Sequence, residues 1–400
     1  MGLDAQHPAH RDLRQPGRRG AAGRDDLPHL DLLQPSVGRP ALGHGGAPVN
    51  DLDPRDRGGP AQPLLTVERL AKHFPGKGGL FGKGNLFGKG PAVRAVDGID
   101  FTVMKGETLG VVGESGCGKS TTARLLMQIA RQDRGDIVFD GELLGSRALD
   151  LKAYRRQVQM VFQDSYASLN PRLTVEESVA FGPKAHGLSA AAALSRAHDL
   201  LRQVGLEPRR FGGRYPHEVS GGQRQRVNIA RALALEPRLL ILDEAVSALD
   251  KSVEAQVLNL LTDLKQEFGL TYIFISHDLN VVRFMSDRVM VMYLGRIAEI
   301  GPADAILGSP RHPYTAALLA SQPSTDPEAR LEEAPLTGDP PNPINPPPGC
   351  RFHTRCRFAA EVCRTREPGL DPVAPAHFAA CHMAVAGSGH PDAPPVPLAA

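Results

Sequence analysis

The chain has 400 residues, 41% hydrophobic and 22% charged, the balance of a globular protein with a substantial core. A net charge of +2 leaves no electrostatic footprint for a polyanion, which sets nucleic acid aside as a partner. No apolar run approaches the ~18–20 residues that span a bilayer. The N-terminal arginines are not followed by the apolar stretch of a secretory signal. A cytosolic protein is expected, with any membrane role exercised through a partner chain.

Residues 1–63 hold 9 Pro, 10 Gly and 8 Arg without apolar periodicity, and read as a disordered arm. Val49 could be an alternative start of translation, so residues 1–48 need not be translated. The fold is expected to begin near Leu64, where LLTVERL alternates like a strand. The pentapeptide LFGKG occurs at 80–84 and again at 86–90; two copies make no repeat architecture, and the composition predicts a basic surface loop. From Ala92 to about Gly301 strand-like runs (106–113, 238–244, 270–278) alternate with helix-like ones such as 252–268. That rhythm predicts an α/β sheet with crossover helices. Residues 165–235 interrupt it with mostly helical pattern, as an inserted helical subdomain would. Beyond Pro302 a Pro-rich connector, NPINPPPGC, leads to four of the five cysteines, making 302–383 a C-terminal extension. Residues 384–400 are small and Pro-rich and are expected to be disordered.

GESGCGKS at 113–120 is a complete phosphate-binding loop between a strand and a helix. Gly113, Gly116 and Gly118 let backbone N–H groups converge on phosphate, with Glu114, Ser115 and Cys117 completing the loop, and the helix terminus adds its dipole. Lys119 is expected to reach the β- and γ-phosphates, Ser120 to ligate Mg²⁺, and Thr121 to hold the α-phosphate side. LLILDE ends a hydrophobic strand with Asp243 and Glu244, which suit Mg²⁺ coordination and activation of the attacking water.

VSGGQRQR at 219–226 resembles the signature motif of ABC ATPases, and with it the P-loop belongs to an ABC nucleotide-binding domain. The resemblance implies that Ser220, Gly221, Gly222 and Gln223 meet the γ-phosphate of ATP held by a second subunit, in a head-to-tail dimer. It implies a Q-loop role for Gln163, which senses Mg²⁺, a D-loop role for Asp250, and a γ-phosphate switch role for His277. Phe74 stands where the family stacks adenine, a contact that suits any base. Val219 replaces the usual Leu and Ala245 the frequent Pro; neither removes a polar catalytic group.

Longer stretches, including QDSYASLNPR, RYPHEVSGGQRQR, RHPYTAALL and NPPPGC, resemble the dipeptide/oligopeptide importer ATPases over about residues 64–382. This implies a motor at the cytoplasmic face of the inner membrane. Its partners would be a second ATPase subunit (a similar chain or a copy), two transmembrane permeases and, indirectly, an extracytoplasmic binding protein. The same subfamily moves nickel, glutathione and other small solutes. A soluble, non-transport ABC protein is the remote alternative. Cys350, Cys356, Cys363 and Cys381 are spaced C-x5-C-x6-C-x17-C, without the tight pairs of most zinc ribbons. Four thiolates could hold a metal or an iron–sulfur cluster, or stay unligated, and His353, His377 and His382 could substitute as ligands. The family resemblance implies a [4Fe–4S] cluster, hence brown protein absorbing near 400 nm.

Overall fold

A strand covered on both faces reads as an unbroken apolar run, because neither face can be polar. Residues 239–242 behave this way: Leu240 and Leu242 enter one core, Leu239 and Ile241 the other. The same division separates Tyr272 and Phe274 from Ile273 and Ile275. The main sheet therefore lies between two hydrophobic cores, as crossover helices require.

The computed structural model describes residues 59, 61–75, 92–322 and 338–395. The expected N-terminal arm up to residue 58, the Val49 start and the duplicated LFGKG lie outside the described residues. Two long strands, β1 (Pro63–Pro75) and β2 (Ala92–Met104), pair antiparallel, and β3 (Thr108–Val112) runs straight into the glycine-rich loop and α1 (Lys119–Leu126). Next come β4 (Arg134–Phe139), β5 (Glu142–Leu143), α2 (Leu151–Gln157) and β6 (Val158–Val161). Four helices follow without a strand between them: α3 (Val175–Ala185), α4 (Ala190–Gln203), α5 (Pro208–Phe211) and α6 (Gly221–Leu233), with α3 packed on α4 and α6. Thr174 opens α3 with a reciprocal capping box to Glu177, which fixes where that helical stretch begins. The chain then returns to alternation with β7 (Leu239–Asp243), α7 (Lys251–Phe268), β8 (Thr271–Ile275), α8 (Leu279–Met285), β9 (Arg288–Tyr293) and β10 (Arg296–Pro302). The C-terminal part adds α9 (Ala303–Gly308), α10 (Pro313–Ala320), α11 (Glu361–Thr365), β11 (Asp371–Ala374) and β12 (His377–Ala379).

One sheet has the antiparallel order β2-β1-β4-β5. The other runs β11-β12-β10-β9-β3-β8-β7-β6, parallel from β9 to β6 and antiparallel beyond β9. The segment beyond residue 302 is thus no separate layer: β12 pairs with β10 and lengthens the main sheet toward its edge. The expected disorder from residue 384 does not hold as far as 395. Gly387 and Gly389 take positive φ, the chain reverses, and Ser388 and His390 are buried, His390 Nε2 donating to the Phe358 carbonyl at 2.7 Å.

Candidate functional site

In an open parallel sheet, ligands meet the loops at the carboxyl ends of the strands. Here β3, β6, β7 and β8 all deliver polar residues to that end. Gly113 and Gly118 are obligatory in the loop after β3. Their φ values are 145° and 115°, and an added Cβ would lie 2.2 Å from the Met292 carbonyl or 2.4 Å from that of Ala95. Only glycine allows the loop to press this closely on β2 and the end of β9. Gly118 caps α1 with no side-chain bond, so the first N–H groups of the helix stay free for an anion. Ser115 and Gly116 are exposed, and Thr121 is half-buried on the first turn.

Lys119 is buried, and its ammonium donates to the carbonyls of Gly113 at 2.6 Å and Glu114 at 3.0 Å. The loop thus holds its cation within its own curve. Cys117 lies beside it; burial pushes that thiol pKa up, which makes it a small packing residue. Glu114 offers the loop less than the pattern implies. Its N–H donates to the Tyr314 hydroxyl at 2.8 Å and its carboxylate is taken by Arg355.

At the end of β7, Asp243 accepts a hydrogen bond from the Ser120 hydroxyl at 3.1 Å. Burial raises the Asp243 pKa above the usual carboxylate range; the Ser120 bond opposes the rise and Glu244 adds to it. Such a carboxyl gains from a cation, and Ser120, Asp243 and Gln163 supply the oxygen donors Mg²⁺ prefers. Glu244 sits at φ 49°, the left-handed region a residue with a Cβ seldom adopts. The turn aims its carboxylate at Gln163, whose Nε2 donates to Oε2 at 2.7 Å, with His277 Nδ1 3.7 Å from the same oxygen. β6, β7 and β8 therefore bring Gln163, Glu244 and His277 to one point.

Ser220, Gly221, Gly222 and Gln223 form the N-terminus of α6. Ser220 and Gln223 close a capping box, with the Gln223 N–H to Ser220 Oγ at 3.3 Å and the Ser220 N–H to Gln223 Oε1 at 3.0 Å. A Cβ on Gly222 would meet Val253 of α7 at 2.4 Å. Asp250 caps α7 from an exposed position, accepting from the Val253 N–H at 2.9 Å. Phe74 is 40% exposed at the end of β1, with the Lys72 ammonium over its ring at 5.5 Å from the centroid. Val219 and Ala245, the two departures from the usual pattern, are buried apolar residues.

The sequence matches the family described as ABC transporter over residues 96–247, and the one described as oligopeptide/dipeptide transporter, C-terminal region, over residues 298–363. It is 53% identical over 330 residues to the probable peptide ABC transporter ATP-binding protein y4tS of Sinorhizobium fredii, covering 82% of this chain and 92% of that protein. It is 47% identical to the oligopeptide transport ATP-binding protein AppF of Bacillus subtilis, covering 80% and 97%. The chain belongs to the ATP-binding proteins of the peptide ABC transporter family. Among solved structures it resembles the ATP-binding cassette MJ0796, a dimer in a post-hydrolysis state bound to ADP and Pi. The TM-score is 0.51 and the identity 28%, over 60% of this chain and 99% of that one. The cbiO1 protein of Clostridium perfringens, part of the cbiONQ complex, gives TM-score 0.52 and 29% identity over 62% and 91%.

This ABC ATPase brings its four C-terminal cysteines together around one small enclosed cavity, walled by Phe352, Phe358 and His312. Backbone N–H groups of Phe352, Phe358 and Met383 point at the sulfurs of Cys350, Cys356 and Cys381, each two residues upstream. Burial outweighs them, and pushes the Cys350 thiol up to about 12 and that of Cys381 up to about 11. Among the described residues no group of three Cys, His, Asp or Glu side chains is arranged to hold a metal ion. The expected substitute ligand His377 is elsewhere: its Nε2 donates to Glu299 at 2.7 Å. His353 and His382 stand at the cavity, each with one ring nitrogen donating to a backbone carbonyl at 2.8 Å.

Several residues that shape the site carry no motif. Glu299, fully buried, accepts from the N–H of Arg311 at 2.6 Å and of His312 at 3.1 Å, which anchors the turn presenting Tyr314 to the P-loop. Arg351 reaches Asp97 and the Leu294 carbonyl, and Arg355 reaches Glu114. A buried acid inside an apolar strand, as in RIAEIGP, is the one sequence signal that points to any of them.

Proposed function

We propose that this ATPase drives import of di- and oligopeptides from the cytoplasmic face of the membrane, as one of two ATPase subunits coupled to two permeases. The match of residues 298–363 to the oligopeptide/dipeptide transporter C-terminal region carries the reading, and the names of its relatives support it. No helix among the described residues is long and apolar enough to cross a membrane, so the work passes to other chains.

In this reading the P-loop from Gly113 to Thr121 cradles the ATP phosphates, Lys119 releases its carbonyl partners to reach them, and Phe74 stacks on adenine. Mg²⁺ is held by Ser120, Gln163 and Asp243. Glu244 orients the attacking water and takes its proton, with His277 beside it; most of the rate comes from placement and charge. Ser220 to Gln223 act on ATP bound to the partner subunit, next to its Asp250. The dimeric MJ0796 structure with ADP and Pi is a precedent for such pairing.

The helices between residues 165 and 235 serve as the helical subdomain that receives the permease. The segment after Gln163 ties into α6: Ser168 Oγ donates to Asn228 at 3.0 Å, and Asn228 donates to the Ser165 carbonyl at 3.0 Å. Arg231 of α6 also donates to the Ser168 carbonyl, so a change at Gln163 would reach the signature helix through three hydrogen bonds, while Phe162, Tyr166 and Phe181 stay exposed.

The four cysteines would hold a [4Fe–4S] cluster. The cavity the four thiols share, and the backbone N–H groups directed at three of the sulfurs, are the features this reading rests on. When bound, the cluster would supply a cross-link across the extension. The function is tested by uptake of labelled peptides in cells carrying wild-type protein or Glu244→Gln. Selective loss of peptide uptake is expected; unchanged uptake alongside abolished ATPase activity would overturn the peptide reading.

A further inference from the structure

Two arginines stand between the first two cysteines of the extension, in the turn 351–355, and both leave it for the nucleotide domain. Arg351 bonds Asp97 on β2 and the carbonyl of Leu294. Asp97 also holds His73 Nε2 at 2.7 Å, one residue before Phe74. The adjacent Gly295 donates its N–H to the Cys117 carbonyl at 2.8 Å, inside the P-loop. Arg355 grips Glu114 with both arms of its guanidinium, Nη1 to Oε2 at 2.8 Å and Nη2 to Oε1 at 3.0 Å. Its side chain is only 6% exposed, and the ring of Tyr293 flanks it with its hydroxyl 3.5 Å away.

Glu114 is an awkward residue to place in a phosphate loop. Its backbone carbonyl lies 3.0 Å from the Lys119 ammonium, inside the loop that would receive a triphosphate, where a carboxylate brings a like charge. A bidentate arginine both cancels that charge and fixes its direction, which a lysine cannot do equally well. We infer that the 350–356 loop is a clasp on the nucleotide site, in which Arg355 is a positioning residue that turns Glu114 away from the phosphates and neutralises it. The extension thereby sets ATP affinity in its own subunit, independently of what the four thiols bind.

The inference rests on the P-loop assignment above, and a Lys119→Ala control separates the two. The measurement is titration of the full chain with a fluorescent ATP analogue and Mg²⁺ at low salt. Arg355→Ala is expected to weaken binding about tenfold, within the range for residues in direct contact. Adding Glu114→Gln should recover most of the loss, because the stranded carboxylate is gone. Raising the salt should shrink the deficit of the single variant but not of Lys119→Ala. Should Arg355→Ala not fold, Arg355→Lys keeps charge and bulk and should lose two- to threefold, again recovered by Glu114→Gln. Wild-type affinity in Arg355→Ala would overturn the inference. So would equal weakness of the single and double variants, since a merely structural arginine is not rescued by neutralising its partner. If Lys119→Ala binds as wild type does, the P-loop assignment itself falls, and this inference with it.

Discussion

The catalytic end of the main sheet and the four-cysteine extension at its edge use polar groups in opposite ways. At the catalytic end the groups are bonded to one another, two of them buried and the rest half-buried or exposed: Lys119 to loop carbonyls, Ser120 to Asp243, Gln163 to Glu244. In the proposed reading each of these bonds has a replacement in MgATP, so they would be exchanged at little net cost. In the extension the partners are buried and final, as with Glu299 under its three donors or Arg351 on Asp97. The lesson is that one end is arranged to change partners during a cycle, and the other to keep them so that the first has a fixed frame.

The largest effect expected from this contrast is at Glu244. Glu244→Gln keeps the shape and the contact region of Gln163 but removes the carboxylate proposed to take a proton from water. ATP turnover should fall about a thousandfold, the scale of a lost general base, while ATP binding by titration is preserved. Turnover near wild type would mean that Glu244 is not the base, and the exchangeable end would need another.

How far the sequence discloses each end follows from the same contrast. GESGCGKS, LLILDE and VSGGQRQR are legible because local chain geometry alone makes them: a strand, a tight turn and a helix terminus. The strands at 106–113, 238–244 and 270–278 are legible because burial on both faces makes their central residues apolar and confines the polar ones to the ends. The left-handed φ of Glu244, the pairing of β12 with β10 and the grip of Arg355 on Glu114 are not legible. They depend on residues far apart in the chain, 78 to 241 positions, or on a backbone state that any residue can be forced into. Arg351 and Arg355 read as ordinary charges in a cysteine-rich segment until Asp97 and Glu114 are seen against them. The folded-back tail is missed for a related reason: Gly387 and Gly389 signal flexibility in sequence, yet here they make the turns that bury His390.

A smaller effect is expected where the extension should be least tolerant. Two neighbouring thiols are buried beside Cys350 and a third is half-buried; on the proposed cluster reading, Cys350→Ser is expected to abolish absorbance near 400 nm in anaerobically purified protein. It should also destabilise the chain by about 3 kcal/mol, the scale of losing a metal-held cross-link or burying an unsatisfied hydroxyl. Colourless wild-type protein carrying one zinc per chain would overturn the proposed cluster in favour of a mononuclear ion.

The smallest effect separates frame from site by pH. Burial alone would raise the Asp97 pKa, but hydrogen bonds from His73 and Arg351 and the charges of Arg351 and Arg296 outweigh it and hold the carboxyl down to about 2. Arg94 and Arg134 also face it, at 3.8 Å and 4.0 Å. A carboxyl whose folded pKa is depressed stabilises the fold fully above its unfolded value of about 4, and the contribution fades as the pH falls through about 2. Over that interval the ionised Asp97 is worth about 2 kcal/mol. Asp97→Asn should therefore lower stability in urea by at least that amount at pH 7 and equally at pH 5, with the gap to wild type narrowing by pH 3. A gap that stays constant down to pH 3 would mean that the Asp97 charge is not what joins β2 to Arg351. The frame would then rest on packing around Phe352 and Tyr314 instead, whose rings lie 5.4 Å apart.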